Sequence, residues 1–220
     1  AHYWQARTAE ALGQNGEARG HYERAARYST TYYGQIAHAR LGGSELRLPG
    51  PPPAHPAGTR LEIVRAMEML YAIDERDLVA SASADLADRA ADPAQLAAVA
   101  ALAEQKNDAR TLALLGRTAV NRGLPFDFYA YPVNGIPSFK QVGPEVEPSI
   151  VYSIARQESA FNPAVVSPAQ AYGLMQVTPD AGRYVCKRAG INFDLNRMKT
   201  DSVYNAMLGA AELGGLIEDY

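Results

Sequence analysis

Acid–base chemistry in most of this chain has to be done by carboxylates. The four histidines are His2, His21, His38 and His55, so the last three quarters lack imidazole unless those residues fold back onto it. A Ser-His-Asp triad or a His-rich zinc site is disfavoured there. The single Cys186 excludes an internal disulfide and any cysteine-cluster metal site. Among the carboxylates, Glu158 has the most informative setting. It follows a run in which Ile150, Val151, Ile154 and Ala155 define one apolar face at helical spacing. Four residues after Ile154 and seven after Val151, it continues that stripe and is expected to turn toward the core. Two roles fit such a group. Desolvation favours the protonated form, as a general acid at neutral pH requires. A structural carboxylate, paired with an arginine or capping another helix, would sit in the same register, and the spacing leaves both open.

A helix must hold that carboxylate, and the sequence supplies its ends. Pro148 suits a first turn, with Glu147 beside the positive end of the dipole, and Asn162-Pro163 closes the helix. Val165 to Pro179, with two prolines and a glycine, reads as a loop. Upstream, Pro125 to Pro148 mixes Phe126, Phe128, Tyr129, Tyr131 and Phe139 with prolines and reads as ordered loop rather than helix. Before it, helices are predicted over Leu61–Ile73, Glu75–Ala90, Pro93–Gln105 and Asn107–Arg122, with breaks at Asp74, Asp92-Pro93 and Asn107-Asp108. They read as a packed helical spacer, the other reading being a binding surface in its own right. The stretch PGPPPAHPAG (49–58) is a stiff linker. Residues 1–48 are helical again: a first helix from Tyr3 stopped by Gly13 and Asn15-Gly16, then Glu17–Tyr28 and Thr31–Leu41. Leu12-Gly13, Glu17-Ala18, Tyr22 and Ala25 resemble half of a helix-turn-helix repeat of about 34 residues. An isolated repeat cannot bury its own apolar face, which implies further chain before Ala1.

Composition agrees with a helical, core-forming chain. Of 220 residues, 47% are hydrophobic and 20% charged, which excludes wholesale disorder. The 39 alanines favour closely packed helices. A net charge of −3 offers no broad basic face for nucleic acid. No stretch approaches the ~18–20 apolar residues that span a bilayer, and the N-terminus lacks the pattern of a signal peptide. Both ends fall inside helical patterns, as expected of a processed or trimmed chain.

The string ARQESAFNPAVVSPAQAYGLMQVTP (155–179), followed by YNAMLGAA (204–211), resembles the lytic transglycosylase family in order and separation. The resemblance is to the soluble, Slt-type branch with a goose-lysozyme-like catalytic domain. It implies an all-α fold: 1–48 the end of a helical superhelix, 49–58 the Pro-rich linker, 59–124 a helical linker domain and 125–220 the first part of the catalytic domain. The activity implied is cleavage of the β-1,4 bond between N-acetylmuramic acid and N-acetylglucosamine in peptidoglycan. The muramyl 6-hydroxyl attacks its own anomeric carbon and leaves a 1,6-anhydro ring, so no second carboxylate is needed. On this resemblance Glu158 is the single catalytic acid/base, and Ser167 and Gln176 contact substrate. Thr178 stands where methionine is frequent, which alters one sugar contact. Met175 packs against the catalytic helix and Ser159 supports it. Glu212 replaces a usual tyrosine, and the family's Ala-Tyr-Asn-Ala-Gly block is expected beyond Tyr220. No metal or cofactor is implied. The expected partners are peptidoglycan glycan strands and, further, cell-wall proteins; the expected compartment is the periplasm. Other readings are a lysozyme-type hydrolase, or a non-catalytic helical scaffold that binds peptidoglycan or partner proteins through a degenerate lysozyme-like domain.

Overall fold

A computed structural model of the chain describes residues 1–45, 48–54 and 61–219. Among the described residues it is all-α, with two isolated antiparallel bridges and no strand. No helix among them is long and apolar enough to cross a membrane. The chain divides into two compact units, Ala1–Gly50 and Pro51–Tyr220.

The first unit holds α1 (His2–Ala11), α2 (Asn15–Ala26) and α3 (Tyr32–Arg40) around Tyr3, Ala6, Tyr22, Ala25 and Ala37. The Tyr22 hydroxyl donates to Glu10 Oε2 at 3.0 Å, tying α2 to α1. Gly13, at φ 73, is enough to end α1, its N–H returning to Glu10 O at 3.0 Å. Asn15 and Gly16 therefore open α2 instead of stopping α1, because the turn is already complete when Gln14 N–H bonds Ala9 O. Thr31 caps α3 by accepting from Gly34 N–H at 3.1 Å. The proline-rich connection has no regular structure over 48–54; its remainder, 55–58, lies outside the described residues.

In the second unit, α4 (Glu62–Ala72), α5 (Arg76–Arg89), α6 (Pro93–Gln105) and α7 (Ala109–Asn121) enclose Met67, Val79, Leu96, Leu115 and Phe126. Asp74 and Asn107 take the left-handed conformation at the predicted breaks, φ 60 and 53. Asp92 caps α6, accepting from Ala94 N–H at 2.9 Å. Asp108 caps α7 through Thr111 N–H at 3.0 Å and also accepts from the Tyr71 hydroxyl at 2.9 Å. Burial, then the Asp108 charge, pushes the Tyr71 phenol well above its ordinary range. The segment after α7 is not all loop. One turn, α8 (Asp127–Ala130), lies against α7 where Gly116 leaves room: a Cβ there would stand 2.6 Å from Ala130 Cα. Helices α9 (Pro148–Glu158), α10 (Pro179–Ala189), α11 (Leu195–Thr200) and α12 (Ser202–Asp219) then close over Val151, Ala155, Leu174, Val177, Met198 and Leu208.

Candidate active site

Helix α9 presents Val151 and Ala155 to the core, 2% and 0% exposed. One turn further on, Glu158 is exposed rather than buried. Its register on the stripe is inward, but α9 ends at this residue. Beyond it, Ser159 (φ −131), Ala160 (φ 49) and Phe161 (φ 61) carry the chain away, and the Glu158 side chain is left open while Ala155, three residues earlier, is buried. The apolar enclosure expected of a buried acid is therefore absent. So is the structural role, since Glu158 has no ion-pair or hydrogen-bond partner among the described residues and caps no helix. A carboxyl remains that is free to meet a ligand, on a backbone fixed by its neighbours. Ser159 Oγ donates to Ala155 O at 3.0 Å or to Leu174 O at 2.8 Å, joining the end of α9 to the loop beyond. Arg156 Nε donates to Ala130 O at 2.7 Å, and its guanidinium lies 4.4 Å from the Tyr131 ring centroid. Burial holds the Arg156 guanidinium below its ordinary range.

The loop from Val165 to Val177 is folded on itself. Tyr172 bridges both Val166 and Val177, with Tyr172 N–H to Val177 O at 3.0 Å and the return bond at 3.1 Å. Ser167 closes its first turn: its N–H donates to Ala171 O at 2.9 Å, and its Oγ accepts from Ala171 N–H at 3.1 Å. Gln176 spends its amide hydrogens on Val165 O (3.2 Å) and Gly173 O (3.0 Å), which fixes the amide's orientation. Both side chains thus brace the loop, and both remain partly exposed. Met175 is core, 6% exposed, and its close neighbour is Gly209 of α12, where a Cβ would stand 2.6 Å from Met175 Cγ. Thr178 caps α10, its Oγ1 accepting from Ala181 N–H at 3.3 Å.

Residues 137–220 match the family model for the transglycosylase SLT domain. Over 82 residues the chain is 42% identical to membrane-bound lytic murein transglycosylase C of Sodalis glossinidius, covering 33% of this chain and 23% of that protein. Over 49 residues it is 47% identical to the soluble lytic murein transglycosylase of Escherichia coli K12, covering 22% of this chain and 8% of that protein. It therefore spans under a quarter of the length of either relative. In fold it is similar to the 70-kDa soluble lytic transglycosylase of Escherichia coli, with TM-score 0.74, 22% identity, and 99% of this chain on 35% of that one. An inactive mutant of lytic transglycosylase Slt from Pseudomonas aeruginosa gives TM-score 0.72 at 21% identity, 99% of this chain covering 36% of that one.

Within residues 137–220, one residue had no role assigned from sequence. Asn205 of α12 is 2% exposed. It accepts from Met175 N–H at 3.0 Å and donates to Tyr172 O at 2.7 Å and Met198 O at 3.2 Å. It packs so closely that a Cβ at Gly173 (φ 73) would meet its Nδ2 at 2.7 Å. The asparagine of the YNAMLGAA block was the available signal: a polar residue among small apolar ones on a helix needs partners. Glu212 lies on the same helix and lines a cavity of about 270 Å³ with Gly143, Pro144, Tyr184 and Arg188. Burial raises its carboxyl above the ordinary range.

Proposed function

We propose that this chain carries the acid/base of a peptidoglycan lytic transglycosylase, and that Glu158 is that group. The observation that carries the reading is the exposed, unpartnered Glu158 carboxyl on a tethered helix end, inside a segment of SLT domain sequence. The protonated carboxyl gives its proton to the glycosidic oxygen as the bond from the muramyl C1 breaks. The carboxylate then takes the proton of the muramyl 6-hydroxyl as that oxygen bonds to C1, closing a 1,6-anhydro ring. No water is consumed, and one carboxyl serves both steps. Ser167 and Gln176 hold the loop beside it; the Ser167 hydroxyl hydrogen and the Gln176 carbonyl oxygen stay available to sugar. The substrate puts the site of action outside the cytoplasmic membrane, in the periplasm.

The test is mass spectrometry of soluble products from purified peptidoglycan, with full-length protein and its Glu158→Gln variant. Muropeptides one water lighter than hydrolytic products, absent with the variant, are expected. Stability should change by less than about 0.5 kcal/mol, because the side chain is exposed and unpaired. Unchanged release by the variant, or no release by either protein, refutes the reading.

A further inference from the structure

Glu158 has no partner of its own, so the place of its carboxyl is set entirely by the backbone on either side. On the far side that backbone is in a demanding conformation. Ala160 and Phe161 are consecutive non-glycine residues at φ 49 and 61, which L-residues adopt only when the surroundings impose it. The surroundings here are those of the Phe161 ring. It is 4% exposed, and its centroid lies 6.1 Å from that of Tyr152. It presses on Gly135 so closely that a Cβ there would stand 2.5 Å from Phe161 Cγ and 2.9 Å from Ala109 Cβ of α7. Gly135 has no positive φ; what its identity supplies is the missing side chain. On the near side, Arg156 is held by Ala130 and Tyr131, and the Ala130 backbone rests against Gly116 of the same helix α7. Glu158 is thus bracketed, two residues before and three after, by attachments that both lead to α7 and the chain following it.

We infer that Gly135, backed by Ala109, is a positioning residue for Glu158 and acts through the Phe161 ring. The inference rests on Glu158 being the acid/base. It makes the helices ahead of the SLT domain part of the catalytic geometry rather than a spacer.

The experiment compares wild type, Gly135→Ala, Phe161→Leu and Gly135→Ala/Phe161→Leu in the full-length protein, measuring kcat and KM on peptidoglycan together with melting temperature. Crowding at Gly135 is expected to lower kcat roughly ten- to hundredfold, the order of loss that misplacing a catalytic group by about 1 Å produces. KM should stay within about twofold, since the loop that faces substrate is untouched. The double variant, in which the smaller leucine accepts the added methyl, should recover kcat to within about fivefold of wild type. Should Gly135→Ala not fold, Phe161→Leu alone must still lower kcat at least about fivefold with KM preserved. A folded Gly135→Ala protein with wild-type kcat overturns the inference. So does a double variant that regains its melting temperature but not its kcat. Product release by Glu158→Gln at the wild-type rate would instead overturn the acid/base reading itself.

Discussion

Replacing Asn205 by alanine removes three hydrogen bonds at a point where water has little access. The side chain is 2% exposed and joins Met175 N–H, Tyr172 O and Met198 O. Its loss strands one amide and at least one carbonyl, each buried unsatisfied group costing about 1–3 kcal/mol, with part recovered if water enters. A net loss of about 3–5 kcal/mol follows, a large share of the ~5–15 kcal/mol that holds a domain together. Asn205→Asp sharpens the test. Its carboxylate still accepts from Met175 N–H, but the second oxygen then faces two carbonyls without a hydrogen to offer. Taking up a proton restores one of the two bonds, so the folded state holds the proton more tightly than the unfolded chain. Stability of this variant, relative to wild type, is therefore greatest at acid pH. It falls as pH rises from the free aspartate value of about 3.9 toward the raised folded one. Urea unfolding followed by circular dichroism at pH 4 and pH 7.5 measures both effects. A loss below about 1 kcal/mol for Asn205→Ala, or an Asn205→Asp deficit independent of pH, would refute the reasoning.

Thr178→Ala should cost about 1 kcal/mol of stability, the usual worth of a helix N-cap, and leave KM for peptidoglycan unchanged. A raised KM with undiminished stability would return Thr178 to the role of a sugar contact. Glu212→Gln should raise the melting temperature at pH 7 and scarcely at pH 4. Burial raises the folded-state pKa of Glu212, so its contribution is favourable below the unfolded value and is lost as pH climbs through the folded one. Thermal melts at the two pH values decide, and equal shifts at both would contradict the burial argument.

Boundaries set by local chemistry were legible in the residues. Asp92-Pro93 and Asp108 announce α6 and α7 because a cap acts on amides two or three positions away. The left-handed breaks at Asp74 and Asn107 are equally local. What escaped was set from a distance. Helix α8 is four residues long, too short for periodicity, and is stabilised by a gap at Gly116 on another helix. The amide of Gln176 reaches back eleven residues to Val165 O as well as to the nearer Gly173 O, and its residue type did not announce that brace, since an amide suits backbone and sugar alike. The Asn205 contacts span about thirty residues of chain, which no local pattern reports.

Glu158 shows the same division within a single residue. Periodicity gives the direction a side chain leaves its helix, and that direction places Glu158 on the inward stripe with Val151 and Ala155. Whether the residue is buried depends on what lies across from it, and the stripe holds no information on that. Here the stripe outruns its cover by one turn. For a general acid the difference has a consequence. A carboxyl enclosed by its own protein is poised before substrate arrives, whereas one at an uncovered helix end is desolvated by the substrate that covers it. On the acid/base reading, Glu158 is covered only when substrate binds. Its geometry must be fixed beforehand, which is the work of Arg156, Ser159 and Phe161 on the backbone around it.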